Sequence, residues 1–189
     1  VMAPKDENEL RHMLKTSVYH PGPSSLRYPR GAGLGVGLDK EIKELEIGKG
    51  EVLRDGNDLA IIAFGSMVDP SMQTAALLER EGLSVAVINA RFAKPIDKKL
   101  IMEYAKKTGC LVTTEEHSVF GGFGSAVLEV LQDFDENIPL KTKCIGVPNI
   151  VVEHGAPGLI KRDLKLDPEG MFDTIFSFVN LTPALKSQD

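Results

Sequence analysis

Two rhythms of apolar residues divide the 189-residue chain. From residue 59 onward, short continuous apolar runs alternate with stretches whose apolar positions recur every three or four residues. Leu59–Phe64, Val85–Asn89, Cys110–Glu115 and Leu140–Gly146 read as strands, and Leu59–Phe64, apolar throughout, as one buried on both faces. Helical spacing between and after them predicts helices near 70–81, 97–107, 125–134, 156–164 and 169–180. In the last of these, Met171, Phe172, Ile175 and Phe176 form one apolar face. Strands alternating with helices predict an α/β three-layer sandwich around a mostly parallel sheet. "GEVLRDGNDLAIIAFG" (50–65) sets two apolar runs about Asp55-Gly56, which predicts a hairpin and hence one antiparallel edge strand.

The first 28 residues follow a different rhythm. "VMA" looks like the end of a strand, and Asp6 and Glu9 have the spacing of a helix capping box, with Asp in place of Ser or Thr. Leu10, Met13, Leu14 and Val18 then keep helical spacing until "HPGP" stops the helix, and Ser24–Tyr28 reads as a short strand. Residues 29–46 are glycine-rich, then charged, and read as a flexible linker. The expected organisation is a strand-helix-strand unit over 1–28, a linker over 29–46, the sheet domain over 47–180 and a frayed tail over 181–189. Starting inside strand-like residues suggests a piece excised from a longer polypeptide.

Composition narrows the function classes. Hydrophobic content of 42% supplies a sizeable core, and the net charge of −5 comes from interspersed acids and bases. That leaves no basic footprint for nucleic acid or an anionic membrane. No apolar run approaches the roughly 18 residues of a membrane span, and no leader pattern opens the chain, so a cytoplasmic protein is expected. Cys110 and Cys144 lie in strand-like runs and read as structural thiols of a reducing compartment.

In a parallel sheet, ligands gather at the carboxyl ends of the strands. The loops expected there are "FGSMVDP", "ARFAKPID", "EEHSVFGGFG" and "VPNIVVEHG". In the third, Gly121, Gly122 and Gly124 precede a helix whose amides could hold an anion, but Glu115 and Glu116 would repel phosphate, so a tight packing turn is the plainer reading. Contiguous Glu115, Glu116 and His117 lack metal-ligand spacing, and no G-x-S-x-G elbow accompanies them. "RGAGLGVG" (30–37) fails the dinucleotide spacing of glycines. His12 and His20 read as surface or packing residues, and His154 as a polar helix cap. Arg27 stands out, because its planar, permanently charged fork suits phosphate or carboxylate, although an exposed edge-strand arginine would look the same. Arg30 is a weaker candidate of the same kind.

Several stretches taken together carry a family resemblance: "MAPKDENE", "GPSSLRYPRG", "RFAKPID", "TTEEHSVFGGFGSAVLEVL" and "GVPNIVVEHG…LKLDPEGM". From residue 1 to about 180 the chain resembles the C-terminal part of the 1-deoxy-D-xylulose-5-phosphate synthase family, within the transketolase-like superfamily. The resemblance implies that residues 1–28 are the end of a pyrimidine-binding domain and that residues from about 47 are a transketolase C-terminal domain. It implies a transferase that joins pyruvate to glyceraldehyde 3-phosphate with loss of carbon dioxide, opening the non-mevalonate isoprenoid route. Thiamine diphosphate and magnesium would serve the complete enzyme, whose partners are the rest of the synthase chain and a second copy in a homodimer. Arg27 matches the family arginine that grips the phosphate of glyceraldehyde 3-phosphate, with Arg30 a weaker second. The family's GDG…N motif for diphosphate and magnesium is missing, so the resemblance implies no catalytic, cofactor or metal residue in this stretch and no activity for it alone. Pro148-Asn149 followed by aliphatics departs from the family's Pro-Asp and later aromatic. The alternative is a non-catalytic assembly domain, akin to that of a 2-oxoacid dehydrogenase beta subunit or another transketolase-like enzyme.

Overall fold

The structure is a computed structural model and describes residues 1–133 and 139–180. Helix α1 (Glu7–Tyr19) precedes a five-stranded sheet of β1 (Glu51–Arg54), β2 (Leu59–Ala63), β3 (Val85–Asn89), β4 (Cys110–Ser118) and β5 (Lys141–Val147). The strand order is β1-β3-β2-β4-β5. β3, β2, β4 and β5 run parallel, with Ile61 opposite both Val87 and Val112. The α/β sandwich with one antiparallel edge strand is therefore as expected.

Alternation along each strand decides which core a residue enters. Leu59 and Ile61 of β2 point to one face, where α2 (Val68–Arg80) and α6 (Pro168–Asn180) bring Ala75, Leu78, Met171 and Ile175. Ala60 and Ile62 point to the other, where α3 (Lys98–Thr108) and α4 (Phe123–Val130) bring Ile101, Ala105, Phe123 and Val127. Full burial of a side chain such as Ile61 contributes about 1.5–3 kcal/mol. α3 is capped at both ends by local chemistry: the Asp97 carboxylate accepts from the Leu100 amide, and Gly109 takes the left-handed conformation at φ 61°. A short helix α5 (Pro157–Asp163) lies between β5 and α6.

The edge strand arises differently from the expected hairpin. β1 pairs with β3, Glu51 opposite Asn89 and Val52 opposite Ile88, and not with β2. Asp55-Gly56 does turn the chain, but the turn carries it across the start of β3. A Cβ on Gly56 would lie 2.3 Å from the Ala86 amide nitrogen, so only glycine passes there. Asp55 pins the crossing by accepting from the Tyr104 hydroxyl at 2.9 Å and pairing with Lys107. Burial, then this contact with Asp55, pushes the Tyr104 hydroxyl up to about 12.

The N-terminal residues also depart from expectation. Ser24–Tyr28 forms no ladder; Leu26 makes a single parallel bridge to Met2, which also bridges Phe92 in the loop after β3. Residues 29–46 are not a loose connector throughout, because residues 34–45 run alongside α1 and are tied to it. The Glu7 carboxylate accepts from the amides of Leu34, Gly35 and Val36 at 2.6–3.0 Å. His12, expected at the surface or in packing, is buried and accepts from the Lys43 amide at Nδ1, which puts its proton on Nε2, 2.9 Å from Asp39. The Thr16 hydroxyl accepts from the Leu45 amide at 2.8 Å. The expected tail over 181–189 and the last residue of the helix expected near 125–134 lie outside the described residues.

Candidate functional site

β4 ends in three ionisable residues whose side chains alternate between the faces of the sheet. Glu115 turns toward α4 and is fully buried, with its two carboxylate oxygens accepting from the Phe123 and Gly124 amides at 2.7 and 2.8 Å. The glycine-rich helix entry does hold an anion, and that anion is the chain's own. Gly122 and Gly146 permit the approach, because a Cβ on either would lie within 3 Å of the Glu115 side chain. His117 leans the same way, its Nδ1 3.9 Å from Glu115 and its ring beside Phe64. Burial, then the positive charge of Arg27, lowers the pKa of His117 against the opposing pull of Glu115 and Glu116.

Glu116 faces the other way, where three chain segments meet. The Ser66 hydroxyl, in the 3₁₀ turn Gly65–Met67 after β2, donates to its Oε2. Arg27 Nη1 lies 3.9 Å from the same oxygen, and Lys161 Nζ, on α5, lies 3.5 Å from Oε1. Thus Arg27 sits over the carboxyl ends of β2 and β4, beside Ser66, Glu116 and His117. Arg30 is exposed and has no ion pair among the described residues, so it does not join this group. His154 is exposed as well. It does not cap α5, whose N-cap position is Ala156 with no side-chain bond.

A second polar cluster fixes where Arg27 can be. Glu9, read from spacing as a capping-box partner of Asp6, instead accepts from the Lys5 amide at 2.8 Å and points into the protein at 2% exposure. There Asn89 Nδ2 and Arg91 Nε donate to it at 2.8 and 2.7 Å, while Arg91 and Lys5 also reach Glu51. Asp6 still caps the helix through the Glu9 amide. Burial opposes ionisation of Glu9, but Lys5 with its amide, Arg91 and Asn89 outweigh it and hold the carboxyl below its ordinary range. This cluster binds α1, and through Met2 the segment bearing Arg27, to the end of β3. Sequence reasoning missed it; the available signal was a polar Asn89 closing an otherwise apolar strand, with Arg91 two residues on.

A mostly parallel sheet covered on both faces, with Arg27, Lys161 and Glu116 gathered at its strand ends, is the architecture of a transketolase C-terminal domain. The transketolase, C-terminal domain family matches residues 48–171, and the chain belongs to it. Over 177 residues it is 55% identical to 1-deoxy-D-xylulose-5-phosphate synthase of Thermosynechococcus vestitus, and over 171 residues 51% identical to 1-deoxy-D-xylulose-5-phosphate synthase 1 of Geobacter sulfurreducens. These alignments cover 93% and 90% of the chain but 27% of each relative, so the chain spans about a quarter of their length. A solved split-gene transketolase, described as an inactive beta4 tetramer, superposes with a TM-score of 0.76 at 31% identity, over 95% of this chain and 56% of that one. Transketolase of Pichia stipitis shares the fold at a TM-score of 0.61 and 18% identity, over 95% of this chain and 25% of its own. The identities to the synthases favour the synthase reading over an assembly domain of another enzyme.

Proposed function

We propose that this chain serves within a thiamine diphosphate-dependent synthase that condenses pyruvate with glyceraldehyde 3-phosphate, and that its own contribution is to bind the phosphate of the aldehyde through Arg27. The observation that carries the reading is the position of Arg27. Its guanidinium stands at the carboxyl ends of β2 and β4, where ligands of such sheets collect, with a hydroxyl and a second cation nearby. The resemblance of "SLRYPRG" to the family's phosphate-gripping stretch points the same way. Arg30, exposed on the adjoining loop, adds to the field around the entrance and has the lesser role.

The residues of this chain do not fit the cofactor's diphosphate or its magnesium. The glycine-rich entry of α4 is filled by Glu115, and the neighbouring carboxylate, Glu116, is already faced by two cations and the Ser66 hydroxyl. The cofactor, when bound to the complete enzyme, supplies the electron sink for decarboxylation. This chain orients the aldehyde by its phosphate and forms one wall of the site. It works in the cytoplasm alongside the rest of the synthase chain, in a homodimer; the exposed Leu14, Val18 and Tyr19 on α1 supply apolar surface for that assembly.

In the complete synthase, Arg27→Ala should raise KM for glyceraldehyde 3-phosphate about 10–100-fold, the equivalent of losing roughly 1.5–3 kcal/mol of charged hydrogen bonding, and should leave KM for pyruvate far less changed. Arg27→Lys should recover part of the loss, because an ammonium lacks the planar fork. Equal effects on both substrates would remove the phosphate role.

A further inference from the structure

We propose that Lys161 is a second phosphate-binding cation of the Arg27 site, and that Glu116 stands in for the phosphate until the substrate displaces it. The inference rests on the phosphate reading of Arg27 and extends it to Lys161, which neither the sequence patterns nor the resemblance singled out. Three donors from widely separated parts of the chain converge on one carboxylate: Ser66 and Arg27 on Oε2, Lys161 on Oε1. A phosphate and a carboxylate accept from the same donors, so a group surrounded in this way marks where an anion is welcome.

The two cation distances argue that the ion pairs with Glu116 are provisional, while the Ser66 hydroxyl bonds it directly. Charged nitrogen–oxygen hydrogen bonds close to about 2.7–2.9 Å, as Arg91 does with Glu9 at 2.7 Å. Arg27 and Lys161 stop at 3.9 and 3.5 Å from Glu116, near enough to feel its charge and not committed to it. All three side chains keep partial exposure: 43% for Arg27, 27% for Lys161 and 23% for Glu116. An incoming ligand can therefore reach them. Glu115 does not compete for these cations, since two α4 amides already hold it.

Charge matching follows. With Glu116 in place, Arg27 and Lys161 leave one net positive charge. Once Glu116 swings away, the two cations meet a phosphate monoester whose charge near neutral pH is close to −2. Glu116 thereby sets a threshold: a dianion displaces it, whereas a monoanionic carboxylate such as that of pyruvate gains nothing over the carboxylate already there. On this account Glu116 is a specificity-determining residue, and it acts against weakly charged competitors.

Steady-state kinetics of the complete synthase test this, with inorganic phosphate as a competitive probe against glyceraldehyde 3-phosphate. Lys161→Gln should weaken inhibition by phosphate and raise KM for the aldehyde about 3–10-fold, with a much smaller change in KM for pyruvate. Glu116→Gln should do the reverse for phosphate, strengthening its inhibition several-fold. If Lys161→Gln matches the parent enzyme while Arg27→Ala weakens phosphate, the second cation is refuted and the Arg27 reading stands. If Arg27→Ala also leaves phosphate inhibition unchanged, the underlying reading fails with it. If Glu116→Gln weakens phosphate, Glu116 orients the cations and the stand-in role is overturned.

Discussion

The sheet domain and the N-terminal unit are held together by opposite means. In the sheet, β2, β3 and the start of β4 are sealed between helices by two apolar cores, and the buried polar groups, among them Asn89, Thr114 and Glu115, gather toward the carboxyl ends of the strands. The N-terminal unit of α1 and residues 34–45 shares a small apolar cluster with the rest, Met2, Met13 and Phe92 with Leu26 and Leu45 against them, and lends Ala3 to the core under α3 and α4. Its attachment depends instead on polar groups, Glu9 to Asn89 and Arg91 and Lys5 to Glu51, while Glu7 and His12 hold residues 34–43 to α1 within the unit. Apolar burial is non-directional and resists small displacements weakly, whereas charged hydrogen bonds fix register. Arg27 belongs to the second region and lies over the first, so its placement depends on the polar seam.

That contrast can be broken from either side. Ile61→Ala, which opens a cavity in the sheet, should cost about 2–5 kcal/mol and lower the midpoint of cooperative unfolding for the whole chain. Glu9→Gln should cost about 3 kcal/mol by leaving Arg91 and Lys5 short of a buried anion, but the loss should be local. Amide exchange would accelerate over α1 while β2 and β4 keep their protection; uniform acceleration would mean that the two regions are one cooperative unit.

Acid sharpens the same distinction. Because the folded pKa of Glu9 is depressed, its stabilisation is fully present above the unfolded value of about 4.5 and is lost as pH falls through the lower folded value. Exchange protection of α1 should therefore fall before that of the sheet during acid titration, and Glu9→Gln should flatten this dependence. The smallest effect belongs to His117. Its folded pKa is also lowered, so its neutral form is favoured, and its contribution is complete above about 6.5 and declines as pH falls below that. His117→Asn should remove that shallow slope in thermal melts between neutral pH and pH 5.

Most of the sheet domain was legible because its rules are local. Val85–Asn89 and Leu59–Ala63 are apolar at every position but the last Asn, and the helices between them carry clear three-and-four spacing. Pairing was less legible. A four-residue edge strand states that it is extended and not which neighbour it takes, and Asp55-Gly56 signals a turn whatever strand follows. The site was legible only at Arg27, an arginine in a short apolar stretch. Glu9, Glu115 and Glu116 look like any surface acid in sequence, since what distinguishes them is a partner 8 to 82 residues away. His154 failed as a cap for a simple reason: Pro157 starts α5 two residues beyond Gly155, leaving Ala156 at the cap.

The glycine-rich run at 31–37 has one more consequence. The amides of Leu34, Gly35 and Val36 form a concave receptor for both oxygens of one carboxylate, with Gly35 at φ +81° and Gly33 packed against Glu7. The guest is tethered to the same chain, so its presence at the receptor does not depend on the protein's dilution. A phosphate free in solution meets a rival that is never washed away. The run that most resembles a nucleotide cradle is therefore a lock closed by its own key, and it ties the chain beyond Arg27 back onto α1.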